Sequence, residues 1–73
     1  MMAKFRLSNR LKIARAEKNL SQEQLGVLAG VTRQTISSIE TGQYNPSTLL
    51  ALVLAQRLDK RVEDLFCLEE EKS

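Results

Sequence analysis

The chain has 73 residues, 42% of them apolar, with three glycines, one proline, one cysteine and no histidine. That describes one mostly helical domain, close to the size at which a single core only just sustains itself, and it excludes a multi-ligand imidazole or thiolate metal site and an internal disulfide. The formal charge is only +2, but residues 1–58 hold eight basic against three acidic side chains and residues 59–73 three against six, so a basic body with a phosphate-binding face is expected to carry an acidic end.

No apolar run reaches membrane-spanning length and the N-terminus lacks the apolar segment of a signal peptide, so the expected compartment is the cytoplasm, with no membrane partner. Residues 1–8 form an N-terminal arm in which Lys4-Phe5-Arg6-Leu7 alternates charged and apolar. It is either a short strand, with Cys67 and Leu68 as pairing candidates, or a frayed end. The first helix is expected from Asn9 to Lys18, with Leu7, Leu11, Ala14 and Lys18 on one face and Ile13 exposed opposite. Asn19 ends it as a left-handed residue.

Residues 21–40 carry the densest local signals. Ser21-Gln22-Glu23-Gln24 is a capping box opening a second helix, which is expected to bury Leu25, Leu28 and Ala29. Gly30 stops it in a left-handed conformation, Val31 plugs the corner, and Thr32 caps a third helix that buries Ile36 and Ile39. Two short helices joined by so tight a turn form a helix-turn-helix. Gly26, mid-helix, costs roughly 1 kcal/mol against alanine; either the site tolerates it at random or the third helix approaches there too closely for a side chain.

The run LSQEQLGVLAGVTRQTISSIETGQYNPS closely resembles the Cro/phage-repressor, or xenobiotic-response-element, class of helix-turn-helix regulators. The resemblance rests on the Ser21-Gln22 opening, Gly26, Gly30, Ile36, Ile39 and the Ile39-Glu40-Thr41-Gly42 close, and it extends from Leu11 to Phe66. It implies an all-α fold, a five-helix repressor-like DNA-binding domain over residues 9–66, with or without a short antiparallel strand pair at the chain ends. Residues 67–73, including Glu69-Glu70-Glu71, are expected to be a solvated acidic tail.

After Gly42, Gln43 to Pro46 reads as a loop, and Ser47 caps a fourth helix ending at Leu58. Leu50, Ala51, Leu54, Ala55 and Leu58 belong to its core face. Leu49 and Val53 fall on a different face, where members of the resembled class usually carry charge. Val62, Leu65 and Phe66 form a short fifth helix, whose start is weakened by Arg61 in a position the class fills with Ser or Thr.

In this class the opening turn of the third helix enters the major groove. Arg33 suits guanine and Gln34 suits adenine; Thr35 and Ser38 can add a methyl and a hydroxyl contact. Gln22, Thr32, Gln43, Tyr44 and Asn45 are the phosphate-binding candidates, although the 43–46 loop could equally be a turn chosen for its Asn-Pro geometry. The resemblance implies an ion pair between Arg15 and Glu40 that orients the scaffold; the residues alone allow both to be solvated.

One such helix reads too few base pairs to locate a site, so a homodimer on a near-palindromic operator is expected. Leu49, Val53 and Leu68 are the interface candidates, unless the fifth helix or the N-terminus covers Leu49 and Val53 within one subunit. No histidine, no activator for Cys67 and no phosphate-cradling glycine loop speak against an enzyme, and no cofactor is implied. The competing reading is a protein-interaction module, such as an antitoxin whose main partner is another protein.

Overall fold

The computed structural model describes residues 4–71. In chain order they form β1 (Lys4–Asn9), α1 (Leu11–Glu17), α2 (Gln22–Ala29), α3 (Arg33–Glu40), α4 (Thr48–Arg57), α5 (Val62–Leu65) and β2 (Phe66–Glu71). The core is aliphatic: Leu11, Leu25, Ile36, Ile39, Leu54, Leu58 and Leu65 are almost wholly buried, with Ala14 and Ala55 beside them. Leu20, Ala29, Val31, Leu50, Val62 and Phe66 pack around this centre.

The fold is therefore five helices plus a two-stranded antiparallel sheet. Leu7 pairs with Leu68, Ser8 with Cys67 and Asn9 with Phe66. The alternation in Lys4-Phe5-Arg6-Leu7 explains the pairing. One face brings Arg6 to Glu69 at 2.9 Å, while the other aligns Leu7 with Leu68 and runs into Phe66 at the core. Opposite charges and apolar side chains across a ladder each stabilise it modestly.

Two expectations at the chain ends are corrected. The acidic segment expected as a solvated tail continues as a strand to Glu71, although its side chains stay exposed; Arg6 supplies the cross-strand countercharge that makes pairing tolerable. Residues 1–3 of the expected arm and 72–73 of the expected tail lie outside the described residues. The first helix starts at Leu11 rather than Asn9, because Asn9 is spent as a fastener. Its Oδ1 accepts the Leu11 N–H at 3.1 Å and its Nδ2 donates to the Ile39 carbonyl at 2.9 Å.

A third correction concerns α2. Leu28 is 42% exposed rather than core. The buried side of this two-turn helix is centred on Leu25 and Gly26, and at about 100° per residue Leu28 falls on its flank. Phe66, expected at the end of the fifth helix, opens β2 instead. Asn19 takes the left-handed conformation, φ 56°. At α5, Arg61 gives no side-chain cap, but Asp64 accepts the Arg61 N–H at 3.2 Å.

Candidate nucleic-acid interface

The crossing of α2 and α3 is built from local chemistry. Ser21 Oγ accepts the Gln24 N–H at 3.0 Å, and Gln24 Oε1 accepts the Ser21 N–H at 2.8 Å, so two orphan amides are satisfied reciprocally. Gly30 closes α2 at φ 76°, a conformation that costs glycine no side-chain clash. The chain then reverses, with the Val31 N–H returning to the Gly26 carbonyl at 2.8 Å. Thr32 Oγ1 accepts the Thr35 N–H at 3.2 Å and starts α3.

Ile36 and Ile39 bury one side of α3, which leaves Arg33 and Gln34 exposed and Thr35, Ser37 and Ser38 half-buried at the margin. Gln34 Nε2 donates to Ser38 Oγ at 3.2 Å. The Thr32 and Thr35 hydroxyls lie 3.0 Å apart, and Thr41 Oγ1 donates back to the Ser37 carbonyl at 3.1 Å. A cleft of about 390 Å³ on this side is lined by Val31, Gln34, Thr35, Ser38, Tyr44 and Leu50.

The loop after α3 is tied to the same edge. The Gln43 and Tyr44 N–H groups both donate to the Ser38 carbonyl, at 2.9 and 3.2 Å, leaving the Gln43, Tyr44 and Asn45 side chains exposed. Exposed donors beside an outward polar helix edge are what phosphate contacts require.

Behind this surface, Arg15 and Glu40 meet in a two-pronged contact, Nε to Oε2 at 2.7 Å and Nη2 to Oε1 at 3.2 Å. Their side chains are only 15% and 4% exposed. The Glu40 hydrogen bond, helped by its charge and opposed by burial, raises the Arg15 guanidinium above its already high ordinary value. Arg15 Nη1 also donates to the Leu20 carbonyl at 2.8 Å, so one side chain joins α1 to the 18–21 turn and to α3.

Gln22, a phosphate-binding candidate, is also tied to the scaffold. Its Nε2 donates to Glu40 Oε1 at 3.0 Å, which commits one of two amide hydrogens and leaves one for a ligand. The local pattern could not reveal this, since Gln22 and Glu40 are joined only by the crossing of the helices. The Arg57 Nε donation to the Leu28 carbonyl at 3.0 Å is a second unforeseen fastener, holding the end of α4 to the end of α2.

Away from the α3 edge, Leu49 is 74% exposed and Leu52 is 53% exposed on α4, with Val53 half-buried beside Leu49. Leu52 escaped the sequence reading, although its place three residues after Leu49 puts it on the same stripe. Leu68, 69% exposed, belongs to a separate element, β2. A larger cleft of about 440 Å³ includes Arg10, Ile13, Glu17, Lys60, Glu63 and Cys67. The Cys67 thiol there is exposed and reaches only the Glu63 carbonyl, at 3.9 Å. Among the described residues no group of His, Cys, Asp and Glu could hold a metal ion, and no helix is long and apolar enough to cross a membrane.

The family model described as helix-turn-helix matches residues 11–65. An uncharacterized HTH-type transcriptional regulator, YgzD, of Bacillus subtilis is 49% identical over 65 residues, covering 89% of this chain and 98% of the relative. Another from Methanocaldococcus jannaschii is 44% identical over 66 residues, covering 90% of this chain and all of the relative. Among solved structures, the restriction-modification controller protein C.AhdI from Aeromonas hydrophila matches with a TM-score of 0.71 at 40% identity, over 75% of this chain and 83% of that one.

Proposed function

Because this chain belongs to the helix-turn-helix family of transcriptional regulators, we propose that it binds specific sequences in double-stranded DNA as a homodimer on a near-palindromic operator. One observation carries the reading: the outward edge of α3, where exposed Arg33 and Gln34 are flanked by a loop fastened to Ser38. Arg33 fits a bidentate contact to guanine and Gln34 one to adenine, with Thr35 able to add a methyl contact. Thr32, Gln43, Tyr44, Asn45 and the uncommitted N–H of Gln22 hold phosphates and set the register. The Arg15–Glu40 pair keeps α1 and α3 in one orientation beneath them.

The dimer follows from how little one helix can read. Two copies related by a twofold axis set their recognition helices about 34 Å apart, reading two half-sites. The stripe of Leu49, Leu52 and Val53 on α4 supports that face as the interface, since exposed aliphatic side chains three and four residues apart suit helix-on-helix contact; Leu68 is the further candidate. The setting is the cytoplasm, and likeness to a restriction-modification controller protein supports a regulatory role.

Selection of bound duplexes from a random pool tests this, combined with sedimentation of the free and bound protein. A near-palindrome bound by two copies is the expected result. Enrichment of a single asymmetric half-site by a monomer would remove the dimer. Failure to enrich any sequence above the input would move the chain to the competing role, a module whose main partner is another protein.

A further inference from the structure

We propose that Ser38 is a positioning residue for base recognition, fixing the Gln34 amide through its hydroxyl and the 43–44 loop through its carbonyl. The inference rests on Gln34 being a base reader. The two side chains are four residues apart on α3 and so lie one above the other on the same face. Gln34 Nε2 donates to Ser38 Oγ at 3.2 Å. A carboxamide nitrogen carries two hydrogens, so this bond leaves one N–H and Oε1 free. That donor and acceptor match N7 and the N6 amino group of adenine.

An exposed glutamine with unrestrained torsions loses rotamer freedom when it binds, and the loss subtracts from affinity for the right base. Ser38 imposes part of that order before DNA arrives. It can do so because it is itself held. Its side chain is half-buried, and its carbonyl accepts from the Gln43 N–H at 2.9 Å, the Tyr44 N–H at 3.2 Å and Thr41 Oγ1 at 3.3 Å. The residue that orients the base-reading amide thus also anchors the loop whose side chains face the backbone. The threonine hydroxyls of this edge are committed elsewhere: Thr32 and Thr35 to each other, and Thr41 to the carbonyls of Ser37 and Ser38.

Ser38→Ala removes the hydroxyl alone and leaves the carbonyl contacts, so the fold and the loop should persist. The test compares wild type, Ser38→Ala, Gln34→Ala and the double variant. The probes are the duplex that wild type selects from a random pool, duplexes changed at each base pair in turn, and an unrelated duplex. Ser38→Ala should lose about 3- to 10-fold in discrimination, at the same base pair that Gln34→Ala relaxes, with affinity for the unrelated duplex and the melting temperature unchanged. It should add nothing in the Gln34→Ala background. An additive effect at a different base pair would make Ser38 a direct reader and overturn the proposal. No effect of Ser38→Ala, where Gln34→Ala does relax a position, would overturn the positioning role alone. If Gln34→Ala changes no position, base reading by Gln34 and its positioning by Ser38 both fail.

Discussion

The Val31 carbonyl oxygen stands 2.7 Å from where a Cβ on Gly26 would lie, with the Thr32 carbonyl carbon and oxygen at 3.2 and 3.3 Å. All three are backbone atoms at the corner between α2 and α3, so none can swing aside as a side chain would. Gly26→Val should therefore destabilise the domain by about 1–3 kcal/mol, the range for overpacking. Gly26→Ala, despite roughly 1 kcal/mol of better helix propensity, should also lose stability. Thermal unfolding without DNA measures both, and an unchanged melting temperature for the valine variant would mean that the helices separate there at no cost.

The Arg15–Glu40 pair should be costly to break and cheaper to replace. Arg15→Met leaves a carboxylate only 4% exposed with Gln22 as its remaining partner, and should cost about 2–4 kcal/mol, a little less than a fully buried pair. Changing both residues to methionine should recover much of that loss, because no uncompensated charge remains. Urea unfolding of the single and double variants decides it; a double variant no more stable than Arg15→Met would contradict this account.

The pH dependence should be confined to the acid limb. Lys18, through a hydrogen bond and its charge, holds the Asp59 carboxyl below its ordinary value. Arg61 does the same for Glu63, with a backbone hydrogen bond assisting. Depressed folded-state values mean that stabilisation is present above the ordinary carboxylate range and is lost as pH falls through the folded values. Both groups are exposed, so the effect should be small and should weaken in high salt. With no histidine in the chain, stability around neutrality should be flat. Melting temperatures followed into acid should fall less steeply for Asp59→Asn with Glu63→Gln; coincident acid limbs would assign the loss to other carboxylates.

Base and phosphate contacts should separate by mutation. Gln34→Ala should relax preference at one base pair per half-site, by about 1–3 kcal/mol of discrimination. Gln22→Ala should weaken all sites by a similar factor and keep the preference. Because none of the phosphate candidates is charged, the salt dependence should come from Lys and Arg elsewhere, α1 included. Reselection from a random pool, with affinities measured at several salt concentrations, distinguishes the two roles. A changed preferred sequence for Gln22→Ala would reverse the assignment.

Leu49→Lys with Val53→Glu should give a folded monomer with weakened operator binding, judged by sedimentation, circular dichroism and gel shift. Leu49 is 74% exposed, so its replacement should leave the core intact. Leu52→Lys should act in the same direction if the whole stripe takes part. An undisturbed dimer would move the interface away from α4.

The sequence alone determined what depends on neighbours within about one helical turn. Ser21, Thr32 and Ser47 announce three helix starts because a cap bonds an amide three residues on. Gly30 announces a stop because its left-handed turn disfavours side chains. The outward position of Arg33 and Gln34 follows from Ile36 and Ile39 facing inward. Tertiary structure decided what depends on partners brought together by folding. The α2 helix is rotated to put Gly26 against the Val31 carbonyl, which exposes Leu28; its own sequence marked Leu28 as apolar and could not say which stripe would win. The acidic C-terminal segment became a strand only because Arg6 and Leu7, some sixty residues earlier, lie across from Glu69 and Leu68. Gln22 was committed to Glu40, and Arg57 to the Leu28 carbonyl, by helix crossings that leave no periodic trace in sequence. A hydrogen bond between distant residues constrains only the two that make it, whereas a cap or an amphipathic stripe imposes a spacing that can be read along the chain.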